Sequence, residues 1–379
     1  MSGPLTNLRV IEMSGLGPCP LAGQLLADMG AEVIVIDRAS AKVDPTDINR
    51  RNKQSIALNL KTTTGIEIAL KLINRADIVI EGFRPGTMEK LGLGPDVCLA
   101  SNPKLIYGRM TGWGQTGPLA KTAGHDLNYL AITGALHSIG SKDRPPTPPL
   151  NLVADYGGGT MFLLFGVLSA LFERSQSGKG QVIDAAMVDS VPAMMGLLHS
   201  WMAQGQWSTQ RESNLLDGGA PFYRCYETAD GKYLSVGPLE PKFFAELLTK
   251  LIDNTDLDAE DSQNQYDAVS WPEKHSQYIS LFLSKTRDEW MEIFEGSDAC
   301  VAPVLDIDEV ESHPHNAGRE TFIRVNNVLQ ASPAPRFSRT PADKPKAPSA
   351  PGENYEAILH SLGYNNAEID QLKQSNILS

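Results

Sequence analysis

The sequence predicts an α/β fold: a doubly wound parallel sheet, then a smaller α+β domain, then an extended arm. Three observations predict it. Over roughly the first half of the chain, short Val/Ile-rich runs alternate with amphipathic stretches of helical length, as in a parallel sheet with crossover helices. Beyond Gly219, two strand-length runs joined by Ala-Asp-Gly-Lys read as a hairpin. Between Ala331 and Gly352, prolines at 333, 335, 341, 345, 348 and 351 rule out helix and favour extended chain. The boundaries that follow are 1–203, 204–325 and 326–379.

In order, Leu8–Glu12 is a short strand, and a Gly-Pro-rich loop (Ser14 to Pro20) leads into a helix ending near Gly30. Glu32–Asp37 and Ile56–Leu60 are further strands, and Thr63–Ala76 is an amphipathic helix. Asp77–Glu81 runs into Gly82-Phe-Arg-Pro-Gly86, and Leu105–Thr111 into Gly112-Trp-Gly-Gln-Thr-Gly-Pro118. Ligands of open parallel sheets bind at such strand ends. The first loop reads Gly15-Leu-Gly17-Pro-Cys-Pro20 rather than GxGxxG, and Arg38 follows Asp37, so a dinucleotide site is poorly supported. An apolar helix from Thr160 to about Arg174, the strand Gln181–Ala185 and a helix carrying Met187, Met194, Met195 and Met202 complete the first part. A methionine stripe is more often core filler, but thioethers also suit a surface along which apolar tails slide. Gln204–Gly219 reads as a linker. The hairpin Tyr223–Thr228/Tyr233–Gly237, a helix after Leu239-Glu240-Pro241, a capping box at Thr286–Glu289 and the strand Asp298–Leu305 follow.

Candidate chemistry concentrates between Gly124 and Gly159. Gly124-His-Asp-Leu-Asn-Tyr129 and Leu152-Val-Ala-Asp-Tyr-Gly-Gly-Gly159 each put a proton-carrying side chain beside glycine at an expected helix start. Helix N-termini offer unpaired N–H groups and a partial positive charge, which suit a developing anion. His125 and Asp155 aimed at one carbon from opposite faces would remove a proton and return it on the other side. Taken singly, each has a plainer reading, as a packed histidine and an N-cap aspartate.

Composition narrows the classes. A 379-residue chain, 41% hydrophobic and 21% charged, can bury a large core. No apolar run approaches the roughly 20 residues that span a bilayer, and no signal peptide is read. Four scattered cysteines without CxxC spacing point to reduced thiols, a cytoplasmic setting and no metal site. A net charge of −12 disfavours nucleic acid. Within it, residues 38–90 carry ten Lys/Arg against six Asp/Glu, a local +4 that suits a multiply phosphorylated small ligand.

Leu8-Arg-Val-Ile-Glu12, Leu26-Ala-Asp-Met-Gly-Ala-Glu-Val33, Glu81-Gly-Phe-Arg-Pro-Gly86, Gly112–Pro118 and Gly178-Lys-Gly-Gln181 resemble the family III coenzyme A transferases over nearly the whole chain. Gly124–Tyr129 and Leu216-Asp-Gly-Gly-Ala-Pro-Phe-Tyr223 resemble one branch, the α-methylacyl-CoA racemases. The resemblance implies a Rossmann-like large domain to which the C-terminal arm and helices (326–379) return, an interlocked homodimer with shared active sites, and 2-methyl-branched acyl-CoA as substrate, with coenzyme A entering as part of it and no separate cofactor. Arg38 matches a position that holds nucleotide phosphates. Leu58, Asn59, Leu60 and Lys61, with Gly82, Phe83 and Arg84, match strand-end loops around adenine and pyrophosphate, and Lys90 falls where relatives carry Arg or Lys. Gly124, Asp126, Leu127, Asn128 and Tyr129 match the thioester site, with His125 and Asp155 the acid–base pair and Glu240 orienting His125. The chain ends Asn-Ile-Leu-Ser, unlike a Ser-Lys-Leu peroxisomal address. The alternatives are a CoA transferase with Asp155 as nucleophile, which needs neither His125 nor Glu240, and a non-catalytic nucleotide-binding scaffold.

Overall fold

A computed structural model describes residues 2–38, 44–253 and 263–378. Six strands, β1 (Arg9–Met13), β2 (Glu32–Asp37), β3 (Gln54–Ala57), β4 (Ile78–Glu81), β5 (Ile106–Thr111) and β6 (Gln181–Ala186), form one sheet. The order is β3-β2-β1-β4-β5-β6 and every pairing is parallel. The runs Val10–Met13, Val33–Ile36 and Ile78–Ile80 are buried on both faces, which is why they read as continuous rather than alternating apolar segments. The strand order reverses between β1 and β4, and their carboxyl ends open the crevice where ligands of such sheets bind. Two elements start there: helix α1 (Pro18–Asp28), with Gly17 as N-cap and Pro18 fixing the first turn, and the loop from Gly82.

Contacts divide the chain into two units. The larger comprises Met1–Thr133, Pro149–Met194 and Gly318–Ser379, and the smaller Gly134–Pro148 and Met195–Ala317. This departs from the boundaries 1–203, 204–325 and 326–379 in two ways. The segments Gly134–Pro148 and Met195 to Ala203 group with the smaller unit, and residues 318–325 with the larger one, which also takes the C-terminal arm as the resemblance implies. The arm runs beside the β3 edge: Gly352 N donates to Ser55 Oγ at 2.7 Å, Ser55 N to Asn354 Oδ1 at 2.9 Å and Arg50 Nε to the Ser349 carbonyl at 2.9 Å. It thereby covers a strand that would otherwise present unpaired backbone.

The smaller unit holds an antiparallel sheet of Arg224–Glu227, Tyr233–Val236 and Val301–Val304. Its core is aromatic, with Phe222, Tyr226, Phe244, Tyr278, Phe282 and Trp290 buried. The capping box at Thr286–Glu289 is formed. Residues 204–219 are irregular but built rather than slack. Buried Asn214 donates to Ser208 O at 3.0 Å, and Asp217 accepts from the Ser213, Asn214 and Gly219 amides.

Two expectations are corrected. The apolar helix does not begin at Thr160: Leu152–Met161 is a π-helical turn that runs into the α-helix Phe162–Ser177. The joined element, Leu152–Ser177, is 26 residues long and meets the length and composition of a membrane span. Its Leu163, Val167 and Ala170 are buried against the sheet, whereas Phe165 and Phe172 stand exposed. The basic stretch 38–90 is also less of a lining than its charge count implies. Arg50 pairs with Asp37, Arg51 with Asp28 and Lys53 with Glu12, at 2.6–2.7 Å, all as structural bonds. Lys42 lies outside the described residues.

Candidate active site

His125 N-caps the helix α2 (Asp126–Thr133), as its sequence position predicts. The His125 carbonyl accepts from Asn128 N at 2.8 Å and Tyr129 N at 3.2 Å, and its amide donates to Asn128 Oδ1 at 3.0 Å. The first helical amides, of Asp126 and Leu127, have no acceptor within the helix, so they face the anion-binding end. The imidazole is exposed.

Asp155 sits inside the first π-helical turn rather than ahead of a helix. Asp126 Oδ2 accepts from Ala154 N at 3.0 Å and Asp155 N at 2.8 Å, tying the turn to the start of α2. Three consecutive glycines make this wide turn fit. A Cβ at Gly158 would lie 2.9 Å from Val191 Cγ2, and one at Gly159 3.1 Å from Pro18 Cβ. A fourth glycine, Gly17 (φ +72), leaves room for Asp155: a Cβ there would lie 3.3 Å from Oδ2. Burial, then the charge of Asp126, push the Asp155 carboxyl up to about 6, with His125 pulling the other way. Asp126 is next to His125 and bonds the Asp155 amide, so the two motifs meet at the start of α2.

Beside His125 is a cavity of about 230 Å³ lined by Gly82, Phe83, Arg84, Gly112, Trp113, Gly124, His125 and Tyr129, among others. Tyr129 donates its phenol proton to the Gly124 carbonyl and meets Trp113 edge-on at 4.7 Å. Its ring fills the space where a Cβ of Gly112 would stand, 2.0 Å from Cε1, so only glycine serves there. Burial and the Asp155 charge raise the Tyr129 phenol, and Arg84 opposes them. Trp113 Nε1 is buried without a partner in this cavity. Glu81 shapes the rim, accepting from Phe83 N at 2.8 Å and from Arg109 Nε at 2.9 Å, while Arg109 also pairs with Glu89.

Of the predicted residues, the structure thus gathers Gly82, Phe83, Arg84, Gly124, His125, Asp126, Tyr129 and Asp155. Leu127 and Asn128 lie on the exposed first turn of α2. Arg38 is exposed at the end of β2, next in register to Leu58 after the Asp37–Ala57 pair. Lys61 and Lys90 are exposed nearby in sequence to strand ends, and Leu60 is half-buried. Leu58 is corrected: its side chain is core, and its backbone pairs with Leu378 while Asn59 N donates to the Ile377 carbonyl at 2.9 Å. Met187 is corrected too, being buried in the larger unit. Met194 is exposed and lies 3.6 Å from where a Gly157 Cβ would stand. Met195 and Met202 belong to the smaller unit, Met195 lining a cavity there with Leu198 and Trp207. Glu240, in the same unit, N-caps the helix Pro241–Ile252 without a side-chain cap bond, and its side chain is exposed. Sequence reasoning missed Gly17 and the Trp113 ring nitrogen; their signals, a glycine before Pro-Cys-Pro and a Gly-Trp-Gly run, were read only as loop. Among the described residues no group of three His, Cys, Asp or Glu side chains could hold a metal ion.

Residues 5–354 match the model of CoA-transferase family III. The chain belongs to that family. Family relatives include the α-methylacyl-CoA racemases of Mus musculus, 44% identical, and Homo sapiens, 42% identical, each alignment covering 99% of this chain and 97% of the relative. A solved family III fold, the CAIB/BAIF family protein of Brucella suis, superposes with a TM-score of 0.79 at 25% identity, over 96% of this chain and 100% of that one.

Proposed function

We propose that this family III protein interconverts the (2R) and (2S) epimers of 2-methylacyl-CoA thioesters by removing and returning the α-proton. One observation carries the reading: Asp126, next to His125, accepts from the Asp155 amide at 2.8 Å, so the start of α2 and the turn that holds Asp155 meet beside the first amides of α2. The α-proton of a thioester is too weakly acidic for a side chain to remove unless the enolate oxygen is stabilised. Fixed N–H donors at a helix start supply that stabilisation. General acid–base help adds roughly 10²–10⁴-fold. A carboxyl raised to about 6 is a better proton acceptor than an ordinary one and still gives the proton back. The names of the 42–44% identical relatives support the same reaction.

In this reading coenzyme A enters with the substrate. Arg38, Lys61, Arg84 and Lys90, with the loops at Asn59–Lys61 and Gly82–Arg84, would hold its nucleotide end, and the exposed Met194 would face the acyl chain. Glu240 would orient His125 of a second chain in a shared-site dimer. The experiment is His125→Ala assayed for both reactions. A racemase loses at least about 100-fold in epimerisation and binds acyl-CoA within a few-fold of wild type. Undiminished acyl transfer to an added carboxylic acid would instead favour a transferase with Asp155 as nucleophile.

A further inference from the structure

We propose that the side chain of Asp126 is a positioning residue for Asp155, clamping the π-helical turn and standing as the fixed like charge against which Asp155 takes up and returns its proton. The inference rests on the proton-transfer reading above and assigns a role to a carboxylate which that reading uses only for its backbone amide.

An acid in the first turn of a helix has an ordinary explanation, attraction to the helix dipole. Such acids normally face water. Asp126 is 8% exposed and points away from its own helix, at the amides of Ala154 and Asp155. One oxygen accepts both bonds, and the other, Oδ1, is buried with no partner. An asparagine would accept the same two bonds through its amide oxygen without placing a charge there, so bonding alone does not account for a carboxylate. What the charge adds is its effect on the neighbouring acid.

The groups facing Asp155 leave Asp126 as the main like charge. From α2 come His125, which favours the ionised form, Asp126, and Tyr129, whose phenol is already bonded to Gly124. The start of α1 presents Gly17, which carries no charge, against the Asp155 carboxylate. The helix Met187–Met194 packs Val191 on Gly158, and its acid Asp189 is exposed. Arg84 lines the cavity with Tyr129 and acts on its phenol.

The test is Asp126→Asn in the full chain, with aspartate carboxyl carbons labelled with ¹³C and the Asp155 resonance identified by its loss in Asp155→Asn. The midpoint of Asp155 should fall by about half a pH unit or more. The acidic limb of α-proton exchange should move the same way, with kcat down about three- to ten-fold and KM little changed. Asp126→Glu should bring the midpoint back towards wild type, which a merely structural clamp would not do. An unmoved midpoint in folded Asp126→Asn overturns the inference. If that variant does not fold, wild type decides: an Asp155 midpoint near the ordinary carboxylate value of about 3.9 overturns it, and an elevated one with rescue by Glu supports it. Wild type without α-proton exchange would sink the proposed reaction, while the titrations would still judge the coupling of the two acids.

Discussion

Asp155 is held in a form the unfolded chain does not favour, and this has a cost in stability. Its carboxyl titrates near 6 in the folded chain against 3.8 when unperturbed. Between those values the folded state binds more protons than the unfolded one, so stability falls as pH rises through that window, and the penalty is complete above it. Asp155→Asn removes the charge and should raise the melting temperature at pH 8 by more than at pH 4, as differential scanning calorimetry would show. An equal change at both pH values would mean the carboxyl is not raised. At this scale the meeting of the two motifs was legible, because Gly124 before His125 and Gly157–Gly159 after Asp155 mark backbone that must approach something closely. The cations were less so. Arg50, Arg51 and Lys53 look like ligand-binding charges in sequence, yet their acidic partners stand 13 to 41 positions away and become visible only in the fold. The buried Trp113 nitrogen was illegible for the same reason.

Among elements, the π-helical turn Leu152–Met161 decides the geometry of the site. Such turns are rare and gather at functional positions. This one carries Asp155 on its first turn and packs its glycines against Pro18 and Val191. Gly158→Ala would push a methyl to 2.9 Å from a stiff valine methyl, and it should cost about 1–3 kcal/mol together with a loss of turnover larger than the loss of substrate affinity. Urea unfolding and steady-state kinetics would check both; unchanged turnover would mean the turn does not set the site. The strand Glu32–Asp37 and the helix at Asp126 were legible to the residue, one from its β-branched run and the other from its glycine-flanked start. The wide turn was not, since Tyr-Gly-Gly-Gly reads as a loop and its regular bonding depends on neighbours from other elements.

At the scale of the molecule, long-range ties join the sheet to the C-terminal arm. Arg51, 2% exposed, pairs with Asp28 at 2.6 Å and donates to Gln330 Oε1 and the Ala331 carbonyl, both at 2.7 Å. Arg51→Leu leaves the Asp28 carboxylate buried beside the neutral donor Asn52, and should cost about 3–5 kcal/mol by denaturant titration. A cost under about 1 kcal/mol, as for a surface pair, would contradict that account. The parallel sheet and the extended arm were legible from strand composition and proline spacing. The hairpin Phe322–Val325/Val328–Ala331, a local pair, was not; nor were the bonds from the arm to β3, whose partners lie some 300 positions upstream. The central claim, that His125 and Asp155 serve opposite faces of one carbon, is tested most directly by incubating a single-epimer 2-methylacyl-CoA in heavy water with wild type and with the His125→Ala and Asp155→Ala chains. The account predicts deuterium at the α-carbon together with inversion in wild type, and loss of inversion in both variants. Inversion without solvent deuterium beyond what direct proton return allows, or inversion persisting at more than about a tenth of the wild-type rate in either variant, would contradict it.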